Sequence, residues 1–199
     1  MKNTVREPQQ ERSIEKKNKI IKAGYELFTE VGYYGTNTVE IAKRAGVSTG
    51  IVYGYFADKR DILICVLKIY IENVSAPLFD IIRSKHGNVV LSDLAHEILD
   101  KTIELHEQYA KLHNTLHSLA ATDEAVNAEF IKLENSITMQ MSEQLSALGV
   151  TVENMTEKVH LAMNLVQSFA HEYVFDSHSY INYSKMKETV CDILVSLFN

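Results

Sequence analysis

The sequence predicts an all-α protein in which an N-terminal three-helix domain precedes a larger C-terminal helical domain. Apolar residues recur at spacings of three and four along most of the 199-residue chain, which is the period of an amphipathic helix. No segment shows the alternation expected of a half-buried strand. Eight glycines and two prolines are also few for a β protein, which needs many turns.

Composition limits the class of protein further. An apolar fraction of 46% and a charged fraction of 23% are typical of a globular domain and exclude a mostly disordered chain. Cys65 and Cys191 are too few for a disulfide framework, which favours a reducing, cytoplasmic location. The N-terminus lacks the apolar run of a signal peptide. No segment approaches about 18 uninterrupted apolar residues, so no membrane partner is expected.

The net charge of −6 is distributed unevenly along the chain. Residues 1–62 hold 11 Lys and Arg against 8 Asp and Glu, whereas residues 63–199 hold 9 against 18. A basic N-terminal part on an acidic remainder indicates that the N-terminal part meets a polyanion.

The first predicted helix begins at Ser13, a plausible N-cap, and ends before Gly32, a residue that commonly stops a helix. The polar residues 1–12 before it are predicted to form a flexible arm. One face of this helix is apolar or small, and it comprises Ile20, Ala23, Gly24, Leu27, Phe28 and Val31.

Capping residues mark the helices that follow. Thr38 is the expected N-cap of a helix over 39–45, and Asp58 is the expected N-cap of a long helix. Pro77 should kink that long helix or start a new one. The remaining helices are predicted from Ser92 to about Leu119, from Thr122-Asp123 to Gly149, from Asn154 or Thr156 to Asp176, and from Asn182 or Ser184 to Phe198.

Residues 38–56 have the pattern of two short helices crossing at a steep angle. Ala42 supplies a small side chain at the crossing, and Gly46 supplies a turn residue that tolerates positive φ. Small or hydroxylated side chains then face outward from the second helix, where they suit phosphate oxygens and base edges. An αα-corner with exposed hydroxyls is the alternative interpretation. The apolar contacts are Ile41, Ala45, Val47 and Val52, and the outward positions are Ser48, Thr49, Gly50, Tyr53 and Tyr55.

Residues 20–63 resemble the DNA-binding domain of the TetR family of bacterial transcription regulators. The resemblance implies a DNA-binding domain over 13–58 and a ligand-binding, dimerisation domain over 59–199. It further implies a homodimer on a palindromic operator in double-stranded DNA, released by a small-molecule inducer. The matching positions are Leu27-Phe28, Gly32-Tyr33, Gly35-Thr36, Thr38, Ile41-Ala42, Ala45 to Ser48, Gly50, Val52-Tyr53, Tyr55-Phe56, Lys59 and Ile62-Leu63.

The resemblance also implies which residues contact DNA. Gly54 departs from the family pattern, which often has a larger polar or aromatic residue there, so base readout is expected to depend on other positions. The implied contacts are Thr38, Val39, Lys43, Ser48, Thr49, Gly50, Tyr53, Tyr55 and Lys59.

The last two predicted helices carry apolar stripes with spacings of four and three. Such stripes suit an antiparallel pair that meets its symmetry mate in a four-helix bundle, or they face the chain's own core. The resemblance favours the bundle, with recognition helices about 34–36 Å apart. The predicted dimer residues are Val159, Ala162, Val166, Phe169, Tyr173, Met186, Val190, Ile193 and Leu197.

An inducer pocket is predicted among the middle helices, with aromatic and methionine side chains suited to an apolar or flat ligand. His113 and His117 have the i,i+4 spacing of helical metal ligands, and His106 lies on the same predicted face. No glutamate completes an HExxH motif and no cysteine lies near, so no metal and no cofactor are predicted. The preferred interpretation is that these histidines are solvated or line the pocket, and polar contact to an inducer or pH sensing is the alternative. The candidate pocket residues are Tyr70, Phe79, Tyr109, His113, Phe130, Met141, Met163 and Phe169.

The leading hypothesis is therefore a ligand-responsive dimeric repressor, with an activator of the same fold as the alternative. A helical His-based enzyme and a protein-interaction adaptor are weaker alternatives. We predict no enzyme, because the sequence has no nucleophile elbow, no phosphate-binding glycine loop and no complete metal motif.

Overall fold

The computed structural model describes residues 6–87 and 89–199. Nine α-helices and no strands occur in this part of the chain, which confirms the predicted all-α class. The helices are α1 (Arg6–Glu30), α2 (Thr38–Ala45), α3 (Thr49–Tyr53), α4 (Lys59–Arg83), α5 (Leu91–Gln108), α6 (Ala110–Ala120), α7 (Glu124–Ala147), α8 (Met155–Phe175) and α9 (Tyr183–Leu197).

The chain forms two compact units. The first, here called the head, comprises the N-terminal part through Tyr70 together with Lys111–Phe130. The second, here called the body, comprises Ile71–Ala110 and Ile131–Asn199. Helices α4 and α7 each contribute residues to both units, so these units are not bounded at residue 58. The predicted functional division at that residue stays a prediction.

The head is held by apolar side chains from α1 to α4. Phe28, Ile41, Val52 and Ile62 are almost completely buried, and burying each such side chain stabilises the fold by about 1.5–3 kcal/mol. Helices α1 and α4 approach closely at Gly24, where an added Cβ would lie 2.6 Å from Cγ2 of Ile62. Glycine is therefore required at this crossing for a steric reason.

Helix α1 begins earlier than the sequence analysis predicted. It starts at Arg6 rather than at Ser13, so residues 6–12 of the predicted arm are helical. Pro8 is compatible with this start because a proline in the first helical turn forfeits no intrahelical hydrogen bond. Residues 1–5 of the predicted arm lie outside the described residues.

One further predicted boundary was wrong, and one of the two alternatives for Pro77 is excluded. The single helix predicted from Ser92 to about Leu119 is broken at Tyr109, which caps α5 with φ −108° and donates its N–H to the Leu105 carbonyl. Helix α4 continues through Pro77 to Arg83, so no new helix starts there.

Three predicted N-caps are confirmed by side-chain hydrogen bonds, those at Asp58, Asp123 and Asn182. Asp58 accepts the N–H of Asp61 at 3.0 Å, and Asn182 accepts the N–H of Lys185 at 3.1 Å. The predicted cap at Thr38 was wrong, because Asn37 accepts the N–H groups of Val39 and Glu40. The Glu40 carboxylate accepts the Asn37 N–H in return, which completes a capping box.

The body has two apolar cores. Phe79, Met141 and Val159 belong to the first core, which α4, α5, α7 and α8 build. Leu99, Val166 and Val190 belong to the second core, which α5, α8 and α9 build. Among the described residues, only α4 is long and apolar enough to cross a membrane, and half of that stretch is buried inside the fold, as in a core helix.

Candidate nucleic-acid interface

The turn between α2 and α3 sets the angle at which the two helices meet. Gly46 has φ 69°, and its N–H reaches the carbonyl oxygens of Ala42 and Lys43. The Val47 N–H also donates to Ala42 at 3.0 Å, which completes a Schellman motif. Ala42 and Val52 are buried on the inner side of the pair. Residues 38–53 therefore form a helix-turn-helix, as the spacing predicted.

Most of the predicted DNA-contacting side chains lie on the outside of this pair. Val39 is 61% exposed and Tyr53 is 56% exposed, which is high for large hydrophobic side chains. Lys43, Ser48 and Gly50 are exposed, whereas Thr38, Thr49 and Tyr55 are half-buried. Ser48 precedes α3 as its N-cap residue but makes no side-chain capping bond. Its hydroxyl therefore remains available to a ligand.

Two hydroxyl pairs fix the orientation of Tyr53 and Tyr55. The Tyr53 hydroxyl lies 3.0 Å from Oγ1 of Thr38, which links α3 to the first turn of α2. The Tyr55 hydroxyl lies 3.0 Å from Oγ of Ser13 on α1. Each pair holds a ring that would otherwise rotate freely, so the surface is preorganised.

Lys59 has a structural role that the sequence analysis missed. Its ammonium donates to the carbonyl oxygens of Tyr33 and Thr36 at 2.6 and 2.8 Å. It also lies 4.1 Å from the centre of the Tyr33 ring. Burial lowers the pKa of Lys59. This side chain thus ties the first turn of α4 to the loop between α1 and α2.

Arg44 is also bound to other residues of the head. Its guanidinium donates to both carboxylate oxygens of Glu30 at 3.0 and 2.9 Å and approaches Glu26 at 3.4 Å. The two carboxylates raise the pKa of Arg44 further above its ordinary value. Lys43, its neighbour, is exposed and is the α2 cation better placed to contact phosphate.

A third ionic contact joins α4 to the start of α7. Arg60 binds the Asp123 carboxylate with two nitrogens, one at 2.7 Å, and Asp123 also accepts the N–H groups of Ala125 and Val126. The Arg60 hydrogen bond is the main reason that the pKa of Asp123 is lowered to about 2. Asp123 therefore caps α7, as its sequence position predicted, and anchors α4 as well.

The eight candidate pocket residues fall into three groups. Tyr70, His113 and Phe130 lie in the head, where the Tyr70 hydroxyl is 2.8 Å from Nδ1 of His113. Phe169 belongs to the second core of the body. The other four belong to the first core of the body, and they are Phe79, Tyr109, Met141 and Met163.

The rings of His113 and His117 lie with their centres 4.2 Å apart and are tilted by 42°, and the His117 ring lies 5.2 Å from that of Phe130. Within the described part of the chain, no cluster of three or more metal-ligating side chains occurs. Burial raises the pKa of both cysteine thiols, that of Cys191 to about 11, which fits unreactive thiols.

The predicted dimer residues are divided between the body's own cores and its surface. Val159, Val166, Phe169 and Val190 are buried within this chain and so are not accessible to a partner. Tyr173 and Ile193 remain 41% and 43% exposed. The residues of intermediate exposure are Ala162, Met186 and Leu197. Leu161, which the sequence analysis did not select, is 55% exposed on α8.

Comparison with known proteins connects the head to a family. Residues 20–66 match the family described as bacterial regulatory proteins, tetR family. The HTH-type transcriptional regulator HbdR of Aromatoleum sp. is 52% identical over 54 residues, 27% of this chain and 24% of that regulator. The fatty acid metabolism regulator protein of Bacillus subtilis is 47% identical over 49 residues, 25% of each chain. These matches span about a quarter of the length of either relative.

Solved structures extend the likeness to the whole fold. A TetR-family transcriptional regulator from Mesorhizobium loti has a TM-score of 0.72 at 18% identity, covering 94% of this chain and 98% of its own. A transcriptional regulator from Saccharomonospora viridis in complex with choline has a TM-score of 0.62 at 14% identity, covering 90% and 95%. At such identities the likeness establishes the fold.

Proposed function

Because residues 20–66 match the tetR family of bacterial regulatory proteins and the chain has the fold of solved regulators of that family, we propose that it is a DNA-binding transcriptional regulator. It binds double-stranded operator DNA as a homodimer in the cytoplasm and responds to a small molecule. It is not an enzyme, in keeping with the regulators it resembles.

One observation carries this proposal. The helix-turn-helix at 38–53 presents exposed hydroxyl groups and Gly50 at the start of α3, while Lys43 adds an exposed cation on α2. Hydroxyls and cations bind phosphate oxygens, and a recognition helix enters the major groove with its N-terminal residues against base edges. The proposed contact set is that of the sequence analysis: Thr38, Val39, Lys43, Ser48, Thr49, Gly50, Tyr53, Tyr55 and Lys59.

Lys59 is the residue of this set with the fewest donors left to contact DNA. Two of its three N–H donors point to the carbonyls of Tyr33 and Thr36, so one donor at most remains for a phosphate. Its main contribution to DNA binding is to hold the loop that precedes α2.

The small-molecule response is proposed by analogy with the choline complex of the regulator from Saccharomonospora viridis. Within the head, Tyr70 and His113 form a buried polar pair beside aromatic rings, and within the body Met141 and Phe79 line an apolar core. Either group could contribute to an effector site. No cofactor is proposed.

Repression is the leading direction of regulation, with release by the effector. Activation is the second candidate, because one relative, FasR of Mycolicibacterium smegmatis, is named a transcriptional activator and is 30% identical over 74 residues. A transcription assay with and without the protein on the same promoter separates the two directions.

The direct test is fluorescence-anisotropy titration with DNA from upstream of this gene and a scrambled duplex of equal length. We expect tighter binding to the native duplex and an affinity that falls steeply with salt. Equal, weak binding to the native and scrambled duplexes would contradict a sequence-specific regulator of its own promoter. Once binding is established, the same assay can screen for small molecules that release the DNA.

A further inference from the structure

Helix α1 extends well beyond the part of the chain that matches the family. The match begins at residue 20, whereas α1 begins at Arg6. Residues 6–19, here called the N-terminal extension, therefore add more than three helical turns to the helix-turn-helix domain. Side chains are described from residue 11 onward.

The N-terminal extension is attached beside the candidate DNA interface. Oγ of Ser13 lies 3.0 Å from the Tyr55 hydroxyl, just after α3. One turn later, Nζ of Lys17 lies 5.8 Å from the centre of the Phe56 ring. Ser13 and Lys17 are four residues apart, so they lie on one face of α1, and Ile20 continues that face into the head core. The extension thus has a defined position next to the recognition helix.

Residues 6–19 hold five lysines and arginines against three glutamates, and the positive charge is concentrated from Arg12 onward. Residues 12–22 hold five lysines and arginines and a single carboxylate, that of Glu15. Arg12, Lys16 and Lys19 follow the i, i+4, i+7 spacing of one helical stripe, next to the face that meets the head. All three side chains are exposed, and Lys19 forms an ion pair of 2.7 Å with Glu15. With so few carboxylates nearby, contacts within this chain provide little electrostatic stabilisation for these exposed cations.

We propose that the N-terminal extension is a second DNA-binding element, in which Arg12 and Lys16 bind backbone phosphates beside the half-site that α3 reads. This inference rests on the proposed function. Its partner is double-stranded DNA because the stripe is continuous with the α3 surface through Ser13 and Tyr55. Contacts to phosphate are independent of base sequence, so the extension raises affinity without adding base specificity.

The test compares two doubly substituted full-length proteins that lose equal charge. Arg12→Ala/Lys16→Ala removes two cations of the stripe. Lys68→Ala/Lys132→Ala, the control, removes two exposed cations that lie outside α1, on α4 and α7. Both are titrated by anisotropy at several salt concentrations against the native and the scrambled duplex. Circular dichroism and sedimentation check helix content and oligomeric state.

The stripe variant should lose affinity on the order of tenfold at physiological salt for both duplexes, so its preference for the native duplex is unchanged. The plot of log affinity against log salt should become shallower by about 1.8 for each subunit that contacts DNA. The control should keep the wild-type slope.

An unchanged slope in the stripe variant, or an equal loss in the control, would overturn this inference while wild-type binding to the native duplex still supports the proposed function. A change in sedimentation of the stripe variant alone would show instead that the extension contacts a second copy of the chain. If the wild type itself shows no preference for the native duplex, the proposed function fails first.

Discussion

Individual side chains of the head divide between holding the fold and facing outward. Lys59 and Arg44 are both cations of the helix-turn-helix region, yet their charges are bound to loop carbonyls and to Glu30. Ser48 makes no side-chain capping bond, Gly50 has no side chain, and both residues lie exposed at the start of α3. The residues that make the fewest contacts within the head are therefore the ones best placed to contact DNA.

Gly50 gives the sharpest test at the scale of one residue. A Cβ added there would meet only Oγ of Ser48, at 4.0 Å, so Gly50→Ala should leave the fold intact or stabilise it by about 0.5–1 kcal/mol. If the Gly50 backbone approaches DNA, the added methyl should weaken operator binding by about tenfold through steric overlap. Thermal melting and anisotropy together measure the two effects. Unchanged operator affinity would exclude a close approach at Gly50.

The packing of α1 against α4 can be tested by changing glycine to alanine at a tightly packed position. At Gly24 the new Cβ would lie 2.6 Å from Cγ2 of Ile62, a stiff branch on a fully buried side chain. Overpacking of this kind costs about 1–3 kcal/mol, which exceeds the gain of up to about 1 kcal/mol from replacing a helical glycine. Gly24→Ala should therefore lower the denaturant midpoint.

Gly50→Ala is the matched control for Gly24→Ala, because it adds the same methyl group where no neighbouring atom is displaced. In the double variant Gly24→Ala/Ile62→Leu the Cγ2 branch is absent, so part of the loss should be recovered. Equal stability of Gly24→Ala and the wild type would show that α1 and α4 can separate without cost.

The contact between Arg60 and Asp123 predicts a pH dependence. The folded-state pKa of Asp123, about 2, is below its ordinary value of 3.8, so its contribution to stability is complete above about pH 4. That contribution is lost as the pH falls from about 4 towards 2. Asp123→Asn should remove this part of the acid sensitivity while keeping the cap on α7, because asparagine is also a good N-cap.

Asp123→Ala removes both the cap and the ion pair, so it should melt below Asp123→Asn at pH 7. Melting temperatures measured between pH 2 and pH 7 for the wild type and both variants test this order. An identical pH profile for the wild type and Asp123→Asn would mean that Arg60 does not stabilise the carboxylate in solution.

At the scale of the whole molecule, the proposed homodimer should cover the exposed apolar side chains of α8 and α9. Ile193 and Leu161 are 43% and 55% exposed, so a charge at either position costs the single chain little. Ile193→Glu should keep the helical fold but produce monomers by sedimentation, with a large loss of operator affinity because only one half-site is then gripped. Val90→Glu, at a 57% exposed residue outside α8 and α9, is the control and should remain dimeric. A dimeric Ile193→Glu protein would place the interface elsewhere.

Much of the local structure was determined by the sequence alone. The glycine at position 46, the carboxylates of Asp58 and Asp123 and the amide of Asn182 marked helix ends where the structure has them, because caps depend on chemistry within four residues. Asn37 was missed because two adjacent residues, Asn37 and Thr38, are both good caps and only the backbone conformation distinguishes them.

Tertiary structure decided the rest. A stripe of apolar residues shows that one face of a helix must be covered, but it does not specify the covering surface. The chain's own cores bury Val166 on α8 and Val190 on α9. Ile193, on the same predicted stripe as Val190, stays exposed. Tyr70 and His113 meet although they are 43 positions apart, and Lys59 reaches Tyr33 across 26. Such contacts depend on how helices pack in space, and local sequence patterns carry no information about that packing.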